Sequence, residues 1–208
     1  MIWGCVAEMS SSATYDESQV RKALDELPVT GRIIFAAACA EWLYPSYEEF
    51  VRAAGLGDAA ALRTAIDTAW AIASGEAVAP DEVERQRAAA ESLVPSDDDE
   101  DWLTLSALAQ NSAASAAYAI RAWLTGDSQE AVWAARQLYE AGDYIVQLGA
   151  ASQSYAQSTD LDLPASLSVS GIVRALEHAG RNAPDRARQD AVAGGKRLRE
   201  LWSEDPSS

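Results

Sequence analysis

Apolar side chains recur every three to four residues along most of this chain, and a proline or glycine closes nearly every such stretch. That spacing belongs to helices that bury one face, and the breakers set where each helix ends. Composition agrees. Of 208 residues 43 are Ala, only two are Phe, and runs of Val, Ile or Thr are few, which nearly excludes an all-β fold.

About eight helices follow from the punctuation. The first covers 16–27, with Val20, Leu24 and Leu27 in register, and stops at Pro28. Thr30 caps a second over 32–44, which stops at Pro45; Ser46 and Glu49 form a capping box for a third over 47–54, ended by Gly55. Asp58 caps 59–74, where Leu62, Ile66, Ala69, Trp70 and Ala73 make one stripe before Gly75. Pro80 opens a helix to about 93, with Asp81, Glu82 and Glu84 near its positive end. Ser96 caps the longest, 97–124, with the stripe Leu105, Leu108, Ser112, Ala116, Ala119, Ile120, Trp123; its small middle, 112–117, predicts a central position. Asp127 and Glu130 open a helix to about 148; 152–165 reads as a loop; helices over 169–179 and 184–202 follow, the last weakened by Gly194 and Gly195.

The expectation is an all-α, single-domain helical bundle: a flexible N-terminal lead over 1–15, a core over 16–150, and a C-terminal loop with two helices, 151–208, packed on that core. Residues 1–9 lack Lys and Arg and do not read as a signal peptide, and the longest apolar run, 33–40, is far below the roughly 20 residues of a membrane span. A cytoplasmic protein is expected. Net charge is −16, from 32 acids and 16 bases, so neither nucleic acid nor an acidic lipid surface is an expected partner. Acids dominate residues 1–110, whereas 174–199 carry seven bases and three acids; this basic end is expected to dock on the acidic body.

The motifs of common chemistries fail on inspection. Asp97, Asp99 and Asp101 match the start of an EF-hand loop, but Trp102 and Leu108 stand where Gly and Glu are needed. One His, His178, and two Cys, Cys5 and Cys39, supply no zinc set, di-iron site or nucleophile with its base. No metal, cofactor or catalytic residue is expected. Glu41 is the one odd residue, since every other side chain from Ile33 to Leu43 is apolar. Buried there it needs a donor, either a Tyr or Trp hydrogen or an Arg, and a structural role is expected. Arg63 and Asp67 read as an ordinary exposed pair four apart.

Phe35, Ala37, Glu41, Tyr44, Pro45, Tyr47, Phe50, Gly55, Gly57 and Asp58 stand in a specific order, followed by Arg63, Asp67 and Trp70, then Pro95, Ser96, Asp98, Asp99 and Asp101, and Leu124, Gly126 and Glu130. In this pattern residues 30–148 resemble the YjaG-like family, bacterial helical proteins classed as a domain of unknown function. The resemblance implies an all-α fold and no established catalysis, with Glu41, Tyr44, Pro45, Tyr47, Gly55, Gly57 and Asp58 as structural positions. Some members look like immunity proteins of bacterial polymorphic toxin systems.

The function expected is therefore non-enzymatic binding of a basic protein partner, such as a toxin domain. The interface expected is the acid run Asp97, Asp98, Asp99, Glu100 and Asp101 with Trp102 as aromatic anchor. A structural or regulatory oligomer, and an enzyme with a pocket at Glu41, are the alternatives; the oligomeric state stays open.

Overall fold

A computed structural model describes residues 15–96, 105–151 and 163–202. They form eight helices with no strand among the described residues, so the chain is an all-α bundle: α1 (Glu17–Asp25), α2 (Val29–Ala54), α3 (Ala59–Ala73), α4 (Pro80–Ser92), α5 (Ser106–Thr125), α6 (Ser128–Ala151), α7 (Leu163–Gly180) and α8 (Pro184–Glu200). Local signals set several ends. Asp16 accepts from the backbone N–H of Ser18 and Gln19 at 2.9 and 3.2 Å. Asp58 accepts from Ala61 N at 2.9 Å, and Pro80 starts α4. Gly55 and Gly126 take left-handed φ of 67° and 66° as C-caps.

Helix α2 is the hub. It packs against α3, α5, α6, α7 and α8, and from Ile33 to Leu43 every side chain is buried. It also corrects the expectation of two helices parted at Pro45, because it runs unbroken through that proline, and Ser46, expected as a cap, is buried inside it. A mid-helix proline removes a backbone hydrogen bond at a cost of roughly 3 kcal/mol. Leu43, Tyr47 and Phe50, all buried around it, bring enough apolar burial to outweigh that cost.

Helix α5, expected at the centre, packs against α2, α3, α4 and α6 and is mostly buried. Its small residues permit close approach: Ser112 Oγ donates to Leu43 O of α2 at 2.8 Å, and Ser115 Oγ to Ala134 O of α6 at 3.3 Å. Trp123 does not continue the buried stripe. It lies in the last turn of α5, where Ala122 still faces the core while Trp123, Leu124 and Thr125 are exposed. Helix α7 begins at Leu163 rather than near 169, because Pro164 in its first turn is compatible with helix entry. Of the expected lead over 1–15 only Tyr15 is described, and it stacks on Tyr139; of the expected loop over 152–165 only 163–165 are described, and they are helical; the acid run over 97–101 lies outside the described residues.

Gly194 and Gly195 do not interrupt α8. They are where it lies on α2: a Cβ at Gly194 would stand 2.0 Å from Trp42 Cζ2, and one at Gly195 2.6 Å from the Trp42 carbonyl oxygen. Gly171 of α7 is equally close to the indole, at 2.7 Å from Cε2. Trp42 is thus clasped between the C-terminal helices, and only glycine allows it.

Gly→Ala inside a helix ordinarily stabilises. Gly194→Ala is expected to do the reverse, lowering stability by about 1–3 kcal/mol in urea unfolding, the scale of core overpacking. The loss should shrink when Trp42 is first changed to Leu, and additive effects would show that the clasp is not the cause.

Candidate functional site

Glu41, the lone acid on the buried face of the hub, has both carboxylate oxygens engaged. Arg63 of α3 grips it with both terminal nitrogens, Nη1 to Oε1 at 2.7 Å and Nη2 to Oε2 at 2.8 Å. Trp70, two turns further along α3, donates Nε1–H to Oε2 at 2.8 Å. Arg188 of α8 brings its Nε within 3.7 Å of the same oxygen, and its guanidinium lies over the Trp70 ring and pairs with Asp67. Two acids, Glu41 and Asp67, thus meet two arginines, Arg63 and Arg188, on three helices. Burial works to lower the pKa of Arg63, but the hydrogen bonds and charge of Glu41 outweigh it and the net shift is upward.

Arg63 and Asp67 do pair, at 3.1 Å, but this is a side branch of the network. The expectation of an ordinary exposed pair is corrected by the burial of Glu41, which draws Arg63 inward until it is mostly covered. One dissatisfaction stays in the cluster: Arg63 Nε is buried without a hydrogen-bond partner among the described residues. The basic C-terminal segment meets the acidic body here, through Arg188.

Tyr44, Tyr47, Gly55, Gly57 and Asp58 build the corner between α2 and α3. Tyr44 lies under the Arg63 guanidinium, 4.7 Å from it, and donates its hydroxyl to Ala59 O at 3.2 Å. Burial pushes its phenol up to about 12. Tyr47 is fully buried and donates to Leu93 O at 3.3 Å, tying in the end of α4. Gly57 sits at φ +81°, and a Cβ there would reach 2.6 Å from the Tyr47 hydroxyl. Gly55 ends α2 and Asp58 starts α3, so the chain turns on the spot and returns with Arg63 facing Glu41.

A cleft of about 270 Å³ opens beside this cluster, between α3 and the start of α8. Asp67, Glu76, Asp185 and Arg188 line it with Trp70, while Glu41 is not among its walls. Among the described residues no group of three or more His, Cys, Asp and Glu side chains is placed to hold a metal ion. Burial pushes the Cys39 thiol far up, which suits a small apolar side chain rather than a nucleophile. His178 pairs with Asp190 at 2.8 Å across α7 and α8. The acids Asp97 to Asp101 and Trp102 lie outside the described residues. Reading by period missed Trp123, which with Leu124 and Leu56 is an exposed large apolar side chain; its only signal was its place three residues before the Gly126 cap.

A protein family described as "protein of unknown function (DUF416)" matches residues 19–140. The crystal structure of a DUF416 family protein from Shewanella baltica OS155 shares the fold, with a TM-score of 0.54 and 15% identity over 86% of this chain and 91% of that one. No curated protein matches the chain.

Removing Glu41 would leave two arginines sharing Asp67 alone and the buried Trp70 Nε1–H without its acceptor. Glu41→Ala should therefore lower stability by about 3–5 kcal/mol in chemical denaturation. Glu41→Gln should cost less, since an amide oxygen still accepts from Trp70 Nε1. Equal losses for the two variants would place the energy in packing rather than in these hydrogen bonds.

Proposed function

The chain belongs to the DUF416 family, whose function is unknown, and from that premise we propose that it is a non-enzymatic binding protein with a basic protein domain as its partner. The observation that carries this reading is the turn between α5 and α6. Trp123 is 44% exposed there and Leu124 41%, whereas Trp42 and Trp70 are 5% and 3% exposed. Acids and bases both flank the two, since Arg32 donates to Gly126 O at 2.7 Å and Arg21 pairs with Asp25, so the acidic bias is that of the whole chain. Asp127 is exposed on the same turn, and Asp25 reaches the turn by a hydrogen bond from Ser128. An exposed tryptophan supplies contact energy, and surrounding charge steers encounter and selects a partner of opposite sign.

The net charge of −16 extends that selection to the whole surface. A toxin domain that acts on nucleic acid is basic for its own reasons, and an immunity protein that neutralises such a toxin has this charge as its first requirement. We place the encounter in the cytoplasm; no described helix is long and apolar enough to cross a membrane. A scaffold role for Glu41 supports the non-enzymatic reading, since both of its oxygens are occupied and it does not line the neighbouring cleft.

The test compares proteins captured from the source bacterium by the wild-type chain and by Trp123→Ser/Leu124→Ser. The expected result is a captured protein with pI above about 9 that is lost from the variant and released by salt. Expressed alone that protein should stop growth, and co-expression of this chain should restore it. A captured set that the double variant leaves unchanged overturns the proposed surface.

The acid run with Trp102 joins the proposal from sequence alone. With Asp97, Asp98 and Glu100 replaced by Asn or Gln, association with the captured protein should slow several-fold and lose salt dependence, with little change in dissociation. An unchanged on-rate at low ionic strength removes the run from the interface.

A further inference from the structure

A second cavity, of about 290 Å³, lies between α7 and α8 on the far side of the Trp42 clasp. Trp42 forms part of its wall, with Gly171 and Gly194 at the indole. The backbones of both helices lie directly against the indole at those positions, so Trp42 is 5% exposed and only its edge reaches the cavity. Arg174 projects from α7 and Arg197 from α8, both at the cavity and both exposed.

Most arginines of this chain hold a carboxylate, and Arg32, Arg174, Arg186 and Arg197 are exceptions among the described residues. Acids outnumber bases two to one, and Arg52, Arg63, Arg85, Arg87, Arg121 and Arg136 each pair with a carboxylate. Arg174 and Arg197 have no carboxylate within ion-pair distance among the described residues. Asp190 also lines the cavity, but its carboxylate is held by His178 Nε2 at 2.8 Å. Two guanidiniums thus share one concave site with a single carboxylate that is already engaged by His178, and a planar fork of donors fits carboxylate or phosphate.

We infer that this cavity binds a small organic anion, with its carboxylate or phosphate between Arg174 and Arg197 and its apolar body against Leu167 and the edge of the Trp42 indole. The volume suits a ligand of one ring rather than a nucleotide or a folded partner. Asp190 in the cavity lining disfavours a second negative group on the ligand. The site is separate from the Trp123 surface, so its failure would leave the partner-binding reading untouched, and the reverse.

The probe is phenyl phosphate, titrated into the full chain by calorimetry beside inorganic phosphate. Phenyl phosphate should saturate one site, with inorganic phosphate several-fold weaker because it lacks the apolar body. Arg174→Gln/Arg197→Gln should weaken phenyl phosphate by about tenfold or more, the loss of charge-assisted hydrogen bonds, with melting temperature unchanged because both side chains are exposed. Ala193→Leu keeps both arginines and fills the mouth from an exposed position of α8, and should abolish binding. Absence of saturable binding to the wild type, or equal affinity in either variant, overturns the inference. Equal affinity for the two phosphates overturns the role of the indole.

Discussion

A carboxylate cannot leave water without donors to replace it, and the position of Glu41 on the hub helix imposes that requirement on everything around it. Its two oxygens take hydrogen bonds from Arg63 and Trp70 and the charge of Arg188. Those partners come from α3 and α8, which fixes how both helices lie against α2. Asp67 then balances the second arginine. The same four charges that would be costly singly become a register mark shared by three helices.

The corner before α3 serves that register. Gly55 halts α2, Gly57 passes under the Tyr47 hydroxyl, Asp58 caps the returning helix, and Tyr44 braces the guanidinium of Arg63 from below. On the opposite flank α5 and α6 use a different device. Small side chains bring backbones close, and the hydroxyls of Ser112 and Ser115 find carbonyl oxygens on neighbouring helices. The interior is thus built from two kinds of contact, one ionic and local, the other close and nearly featureless.

Much of this was legible from sequence where the cause is local. Asp58, Gly55, Pro80 and Gly126 act on their own backbone neighbours, and each ends or begins a helix as its chemistry dictates. The need of Glu41 for an Arg or Trp donor was also legible, because desolvation does not depend on which residue answers it. What escaped depends on distant segments. Pro45 reads as a stop until the burial around it is known, and Gly194 and Gly195 read as weaknesses until Trp42 is placed beneath them. Arg63 and Asp67 look like a surface pair until Glu41 stands opposite. Trp123 fits the helical period of α5, yet the last turn of that helix leaves it uncovered.

The clasp on Trp42 also has a consequence in time. The hub is complete once residue 54 has been made, but the glycines that cover its indole come roughly 150 residues after Trp42 in the sequence. At about 5–20 residues per second, translation leaves that flank of α2 bare for roughly 8–30 s. A nascent chain of this protein therefore carries an apolar helix with an uncovered ring on the ribosome while those residues are made. The last helix to emerge is the one that seals the first long one, so a ribosome that stalls short of α8 holds a chain whose central helix is still open to chaperones and to other chains.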